Sequence, residues 1–220
     1  MGAGLLSPTA RRAPFITFEG GEGGGKTTQI ARLAETLRAR NIAVETTREP
    51  GGTDGAELIR DLLVHGPTDR WLPLTETMLH VAARHEHVAR RIRPALEQGR
   101  WVLCDRFLDS TRIYQGVAAG VAMETIDALH RLALDGLVPD LTLILDLASE
   151  AGLSRRARAG GAERYERMGA AFHQRVRDGF RALAESQPER CVLIDANRSK
   201  EQVAADIWLT VRTRLLRDRT

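Results

Sequence analysis

Gly20-Gly21-Glu22-Gly23-Gly24-Gly25-Lys26-Thr27 constrains this chain more than any other stretch. It has the spacing G-x-x-x-x-G-K-[ST], the Walker A phosphate-binding pattern, which has meaning only between a strand and a helix. Phe15-Ile16-Thr17-Phe18, apolar and β-branched, reads as a buried strand ahead of it. Behind it, Ile30, Leu33, Ala34 and Leu37 are spaced for one helix face. A flexible linker containing Gly-Lys-Thr by chance lacks both flanks. The five glycines let backbone N–H groups close on phosphate oxygens at the helix N-terminus, where the dipole favours an anion. Lys26 then lies along the β- and γ-phosphates, and the Thr27 hydroxyl is placed to ligate Mg²⁺.

At 220 residues the chain suits one domain, or one with a small mobile insertion. A net charge of +3 is too small to argue for nucleic acid and suits an anionic small molecule. Cys104 and Cys191 form no C-x-x-C pair, so neither a disulfide framework nor zinc is expected, and a reducing cytoplasm fits. No run of about 18 apolar residues predicts a membrane span. Residues 1–14 read as a disordered tail: Arg11 and Arg12 follow Leu5 and Leu6, the reverse of a signal peptide. Residues 15–220 read as one domain.

Ile42 to Thr47 reads as a second strand ending at Arg48-Glu49-Pro50-Gly51-Gly52, a turn at the sheet edge where open α/β folds bind ligands. A helix from Gly55 to about Val64 follows. Another spans Leu74 to Glu97, with Leu74, Met78, Val81, Val88 and Ile92 as its apolar stripe. His80, Arg84, His87 and Arg91 share a second face, either solvated or available to a base and an anion. Trp101 to Cys104 reads as a third strand ending in Asp105-Arg106, where a carboxylate can hold Mg²⁺. Ser110, Thr111, Tyr114 and Gln115 supply polar groups next, before a helix from Met123 to Leu134. Leu141 to Leu147 and Cys191 to Asp195 read as the fourth and fifth strands. Between them, residues 151–167 are rich in arginine, with Arg155, Arg158 and Arg164 around Gly160-Gly161. That is the composition of a helix–hinge–helix lid closing on an anion; the alternative is a solvated charged face. Alternation of strands and helices predicts an α/β fold, a five-stranded parallel sheet covered on both faces.

The combination resembles the bacterial thymidylate kinases, P-loop nucleoside monophosphate kinases, from Phe15 to about Arg217. Walker A is shared by many families; Arg48-Glu49-Pro50-Gly51-Gly52, Asp105-Arg106 and Ser110-Thr111 with Tyr114-Gln115-Gly116 are more specific. Ala82-Ala83-Arg84 and Pro139-Asp140-Leu141-Thr142 add weight. The resemblance implies the P-loop NTPase fold, phosphorylation of dTMP by ATP with Mg²⁺, and a homodimer with no nucleic-acid or membrane partner. It implies that Gly20, Gly21, Glu22, Gly23, Gly24, Gly25, Lys26 and Thr27 hold ATP, and that Thr27, Asp105 and Glu49 lie on the metal side. Glu22 stands near the acceptor's 3′-hydroxyl, Arg48 and Arg106 grip its phosphate, and Arg84 bonds the thymine. Glu49, Ser110, Thr111, Tyr114 and Gln115 complete the dTMP pocket. Lys26, Asp105, Arg106 and the lid arginines Arg155, Arg158 and Arg164 form the catalytic set. The family often stacks thymine on a phenylalanine where this chain has His80, a smaller ring that can ionise. Two other readings stay open: the same fold acting on another nucleotide or deoxynucleoside, and an ATPase switch in which Arg48, Arg84 and Arg106 are idle.

Overall fold

The computed structural model describes residues 12–158 and 164–216, with side chains described up to 155 and from 164 onward. Five short strands, β1 (Phe15–Glu19), β2 (Val44–Arg48), β3 (Trp101–Asp105), β4 (Leu141–Asp146) and β5 (Cys191–Asp195), form one sheet. Its order is β2-β3-β1-β4-β5 and every neighbouring pair is parallel. Central parallel strands are buried on both faces, which is why β1 and β4 read as almost unbroken apolar runs. Alternation along β4 shows the two layers. Leu143 and Leu145 join a core with Leu33 and Leu37 of α1 (Lys26–Arg38) and Val203 and Ile207 of α9 (Lys200–Leu215). Ile144, between them, joins Val176 and Phe180 of α8 (Ala170–Ser186). Helices α2 (Asp54–Val64), α3 (Pro73–His87) and α6 (Met123–Leu134) pack beside one another.

Three elements differ from the sequence reading. Ile42 and Ala43 belong to the exit from α1, where Asn41 takes φ 58° and the Ile42 N–H donates to Leu37 O, so β2 starts at Val44. The long helix is broken: α3 passes through a π turn (Val88–Ile92) into α4 (Arg93–Glu97). Pro94 brings no N–H to the ladder, and the wider turn ahead of it relieves the clash of its ring with the preceding turn. The π turn also shifts the phase of the helix. Leu74 and Met78, expected inside, are 46% and 48% exposed, whereas Arg84 and His87, on the face read as either solvated or ligand-binding, are 2% and 0% exposed. The lid region holds α7 (Ser149–Arg158) and then a 3₁₀ turn (Arg164–Arg167) rather than a second α-helix. The Gly160-Gly161 hinge and the Arg158 side chain lie outside the described residues, as do residues 1–11. The chain is already anchored ahead of Phe15: Arg12 Nη1 donates to Asp140 Oδ2 at 2.6 Å and Ala13 is buried in the core.

Candidate active site

All five strands point their C-terminal ends one way, and a cleft of about 840 Å³ opens there. Its floor is the glycine loop. Gly20 and Gly25 have φ of 121° and 86°, in the left-handed region that glycine enters freely. A Cβ on Gly20 would lie 2.4 Å from the Leu145 carbonyl oxygen, so the loop lies directly on the end of β4. Lys26 donates to Gly20 O at 3.3 Å and Gly21 O at 2.9 Å, which holds its ammonium within the loop. Burial first, then Arg106 nearby, lowers its pKa. One residue on, Thr27 Oγ1 donates to Asp105 Oδ2 at 2.9 Å, joining the start of α1 to the end of β3. The sequence reading puts this hydroxyl and this carboxylate together, and here they meet.

Arg106 follows Asp105 and turns the other way. Its backbone has φ 67°, rare for a residue with a side chain and a feature that clusters at functional sites. Its guanidinium donates to Gly20 O, to Ser110 Oγ and, at 2.7 Å, to Glu22 Oε1, and it lies over the Tyr114 ring. The Tyr114 hydroxyl also donates to Glu22 Oε1, at 3.0 Å. Burial raises the Glu22 carboxyl, but the charges of Arg106 and Lys26 outweigh it and bring the pKa down to about 2. Glu22 therefore stays ionised between Lys26 and Arg106.

Behind Arg106 is a buried polar wall. Glu49 gives one carboxylate oxygen to Arg84 Nε at 2.6 Å and the other to His87 Nδ1 at 3.0 Å. Its carboxylate thus holds Arg84 and His87 while Glu49 lines the cleft. Arg84 spends Nη1 on Thr111 Oγ1 and His130 Nε2 and part of Nη2 on Phe107 O, leaving one Nη2 hydrogen for a ligand in the cleft it lines. The hydroxyls of Ser110 and Thr111 are occupied too, Ser110 donating to Glu19 and Thr111 accepting from Arg84. Both line the cleft; the Ser110 proton is committed to Glu19, whereas Thr111 uses only its oxygen. Arg48 lies at the rim, its side chain 53% exposed, gripping both oxygens of Glu57. Opposite, His80 Nε2 is 2.7 Å from the Tyr165 hydroxyl, and Tyr165 and Gln115 both donate to Glu76 Oε1.

Helix α7 approaches from above. A Cβ on Gly23 would lie 2.0 Å from Gly152 O, and one on Gly152 would lie 2.2 Å from Glu22 O. Backbone therefore touches backbone where α7 meets the loop, and only glycine fits on either side. Arg155, one turn further along α7, lines the cleft and is exposed. Arg164 is elsewhere. It is 0% exposed, donates to Leu63 O and Thr68 O, and pairs with Glu76. Sequence reading expects a cation delivered over ATP; in this conformation Arg164 is a buried tie between the 164–167 turn and α3.

A sequence model of the thymidylate kinase family matches residues 18–207. The chain is 54% identical over 201 residues to the thymidylate kinase of Caulobacter vibrioides, covering 91% of this chain and 97% of that one.

The chain belongs to the thymidylate kinase family.

It is an ATP-dependent nucleoside monophosphate kinase. The thymidylate kinase of Bradyrhizobium diazoefficiens is 48% identical over 219 residues, 98% of this chain and 96% of that one. The crystal structure of the thymidylate kinase from Ehrlichia chaffeensis superposes with a TM-score of 0.74 at 35% identity, over 91% of this chain and 99% of that one. Thymidylate kinase membership gives sense to cleft residues that sequence reasoning passes over. The far end is lined by Ala196, Arg198, Ser199 and Lys200, between β5 and α9. Ser199 and Gln202 make a capping box there, a readable signal for a helix start at a strand's C-terminal end. Glu19, Glu76 and Tyr165 are also missed; a lone carboxylate closing an apolar strand is the only local mark of Glu19.

Proposed function

We propose that this cleft transfers the γ-phosphoryl group of ATP to the phosphate of dTMP, with the far end taking ATP and the Arg106 end taking dTMP. The observation that carries it is the divergence of two adjacent residues: Asp105 meets Thr27 beside the loop, while Arg106 turns to Glu22 and Tyr114. A switch needs only the first of these sites. Two anions facing each other across Lys26 are what transfer between phosphates requires, and such transfer depends on positioning and charge more than on covalent catalysis. Lys26 would stabilise charge on the β- and γ-phosphates. Arg106 and Arg48 would hold the acceptor phosphate, a task suited to the planar guanidinium. Glu22 and Tyr114 would face the sugar, and Arg84 and His80 the base. Arg155, carried over the cleft by α7, would supply the further cation.

Thr27 Oγ1 and Asp105 Oδ2 make an oxygen-only pair, the donor chemistry that Mg²⁺ takes. These two would hold the ion; when bound it neutralises phosphate charge. We further read residues 15–220 as one catalytic unit with α7 and the 164–167 turn as its lid. A second copy of the chain would cover Leu58 and Leu62 of α2 and Leu74 and Met78 of α3, all more than a third exposed. Light scattering tests that dimer. No helix among the described residues is long and apolar enough to cross a membrane. Both cysteines are free and buried, which fits a reducing cytoplasm.

A coupled ADP-release assay across dTMP, dUMP, dCMP, dGMP and AMP tests the reading. Fastest turnover on dTMP supports it. ATP hydrolysis indifferent to every acceptor supports the switch instead.

A further inference from the structure

Glu19 is the last residue of β1, is wholly buried, and directly precedes the glycine loop. Neither of its oxygens faces a substrate. Oε1 accepts from the Phe107 N–H at 2.8 Å and Oε2 from the Ser110 hydroxyl at 2.6 Å. Phe107 and Ser110 close the turn that follows Arg106, with the Ser110 N–H donating to Phe107 O. Arg106 sits at the start of that turn with φ 67°, a conformation that a residue with a Cβ keeps only when its surroundings fix it. Its own N–H donates to Phe18 O, the residue before Glu19. The Ser110 proton is spent on Glu19, so the serine oxygen is free to accept from Arg106 Nη1 at 3.2 Å. Both ends of Arg106, backbone and guanidinium, thus trace back to one carboxylate.

We infer that Glu19 is a positioning residue for Arg106: it holds the strained turn and the serine that aim the guanidinium into the acceptor site. This rests on the reading of Arg106 as a ligand of the acceptor phosphate. The ionised carboxylate accepts at both oxygens, which matches the two donors it receives. An amide of the same shape accepts at only one oxygen, and its NH₂ competes with Arg106 for the serine lone pairs.

The test is steady-state kinetics of the full-length chain and of Glu19→Gln, Arg106→Ala and the double variant, each with a thermal unfolding curve. Misplacing a binding group by about 1 Å costs as much as about 10²-fold, so Glu19→Gln is expected to raise KM for dTMP about tenfold or more while KM for ATP stays within about twofold. Arg106→Ala should raise KM for dTMP at least as far, and the double variant should match Arg106→Ala alone. A normal KM for dTMP in Glu19→Gln, with a raised one in Arg106→Ala, overturns the positioning role and leaves the Arg106 reading intact. A normal KM for dTMP in Arg106→Ala overturns both. Should Glu19→Gln not fold, Ser110→Ala replaces it: a raised KM for dTMP that vanishes as an added effect on Arg106→Ala supports the inference, and an additive or absent effect overturns it.

Discussion

His80 and Tyr165 share a hydrogen bond of 2.7 Å whose polarity is fixed by a third residue. Tyr165 gives its only proton to Glu76 Oε1 at 2.8 Å, so the proton between Tyr165 and His80 belongs to Nε2 of the imidazole. Burial, then the charges of Arg84 and Arg164, push the His80 pKa down to about 3, so the ring is neutral with Nδ1 as an acceptor. A flat, uncharged ring lines the cleft, with its tautomer set by Tyr165 of the 164–167 turn.

His80→Ala is therefore expected to weaken dTMP binding by up to about tenfold, the scale of one aromatic contact, while ATP binding holds. His80→Phe keeps the ring and should bind dTMP as well or better, although Tyr165 loses its donor. Calorimetric titration with each nucleotide decides. Equal weakening of both nucleotides, or of neither, assigns the ring a packing role.

Lys26→Ala removes the cation held within the loop and should nearly abolish transfer with the fold intact. Near-normal turnover with an unchanged unfolding curve would end the assignment of the glycine loop.

Gly152→Ala places a methyl 2.2 Å from Glu22 O, so α7 and the loop must part. Alanine favours the helix by about 1 kcal/mol, so activity and stability should separate. We expect kcat/KM for ATP to fall by about tenfold or more, as for a displaced positioning element, without a matching drop in Tm. Gly169→Ala, where the added Cβ meets nothing within 4 Å, is the control. Equal behaviour of the two variants would mean that the contact has no bearing on catalysis.

Arg155 and Arg164 should respond differently. Arg155→Ala is expected to lower kcat by more than about 10²-fold with dTMP binding little changed, as for an arginine serving a phosphoryl transition state. Arg164→Ala strands buried Glu76 and should cost about 3–5 kcal/mol of stability. Normal kcat in Arg155→Ala, or normal stability in Arg164→Ala, reverses the respective assignment.

Stability should depend on pH with a definite sign. His80 and His130 are held neutral, at about 3 and about 2, by burial and by nearby arginines. Their contribution is complete above the ordinary value of 6.5 and is lost as pH falls. Glu19 runs the other way: burial and Asp109 raise it from 4.5 to about 7, so it favours the fold below 4.5 and loses that as pH rises through 7. Between 4.5 and 6.5 unfolding takes up two protons at the histidines and releases one at Glu19. These three groups together should therefore raise stability by about 1.4 kcal/mol per pH unit. Denaturant unfolding at several pH values checks the slope. His130→Gln should flatten it, and an unchanged slope would exclude His130 as a contributor.

The strands, the glycine loop and the meeting of Thr27 with Asp105 were legible because each rests on a local pattern. An apolar run makes a buried parallel strand, and the loop's spacing needs only its own flanks. Arg84, His87 and Arg164 were not. Periodicity assigns charged residues to the outside, and these are inside only because Glu49 and Glu76 reach them across the fold. The Arg84–Glu49 pair spans 35 residues and the Arg164–Glu76 pair spans 88. No helical or strand period records a partner at such a separation. Glu19 was hidden for a similar reason, since Phe107 and Ser110 are 88 and 91 residues away.

The strand order also bears on how the chain is made. β1 lies in the middle of the sheet, and its partners are β3 and β4, with Phe15 beside Val102 and Ile16 beside Leu141. β1 is made before both of its neighbours and gains the second only with β4. Until residue 141 and those after it emerge, Phe15, Ile16 and Phe18 have one open edge at best, a sticky segment during synthesis that non-local pairing leaves waiting. The glycine loop, hung from that strand, takes its final shape only once β4 closes the gap, so a nascent chain stalled before β4 should gain nothing from added nucleotide.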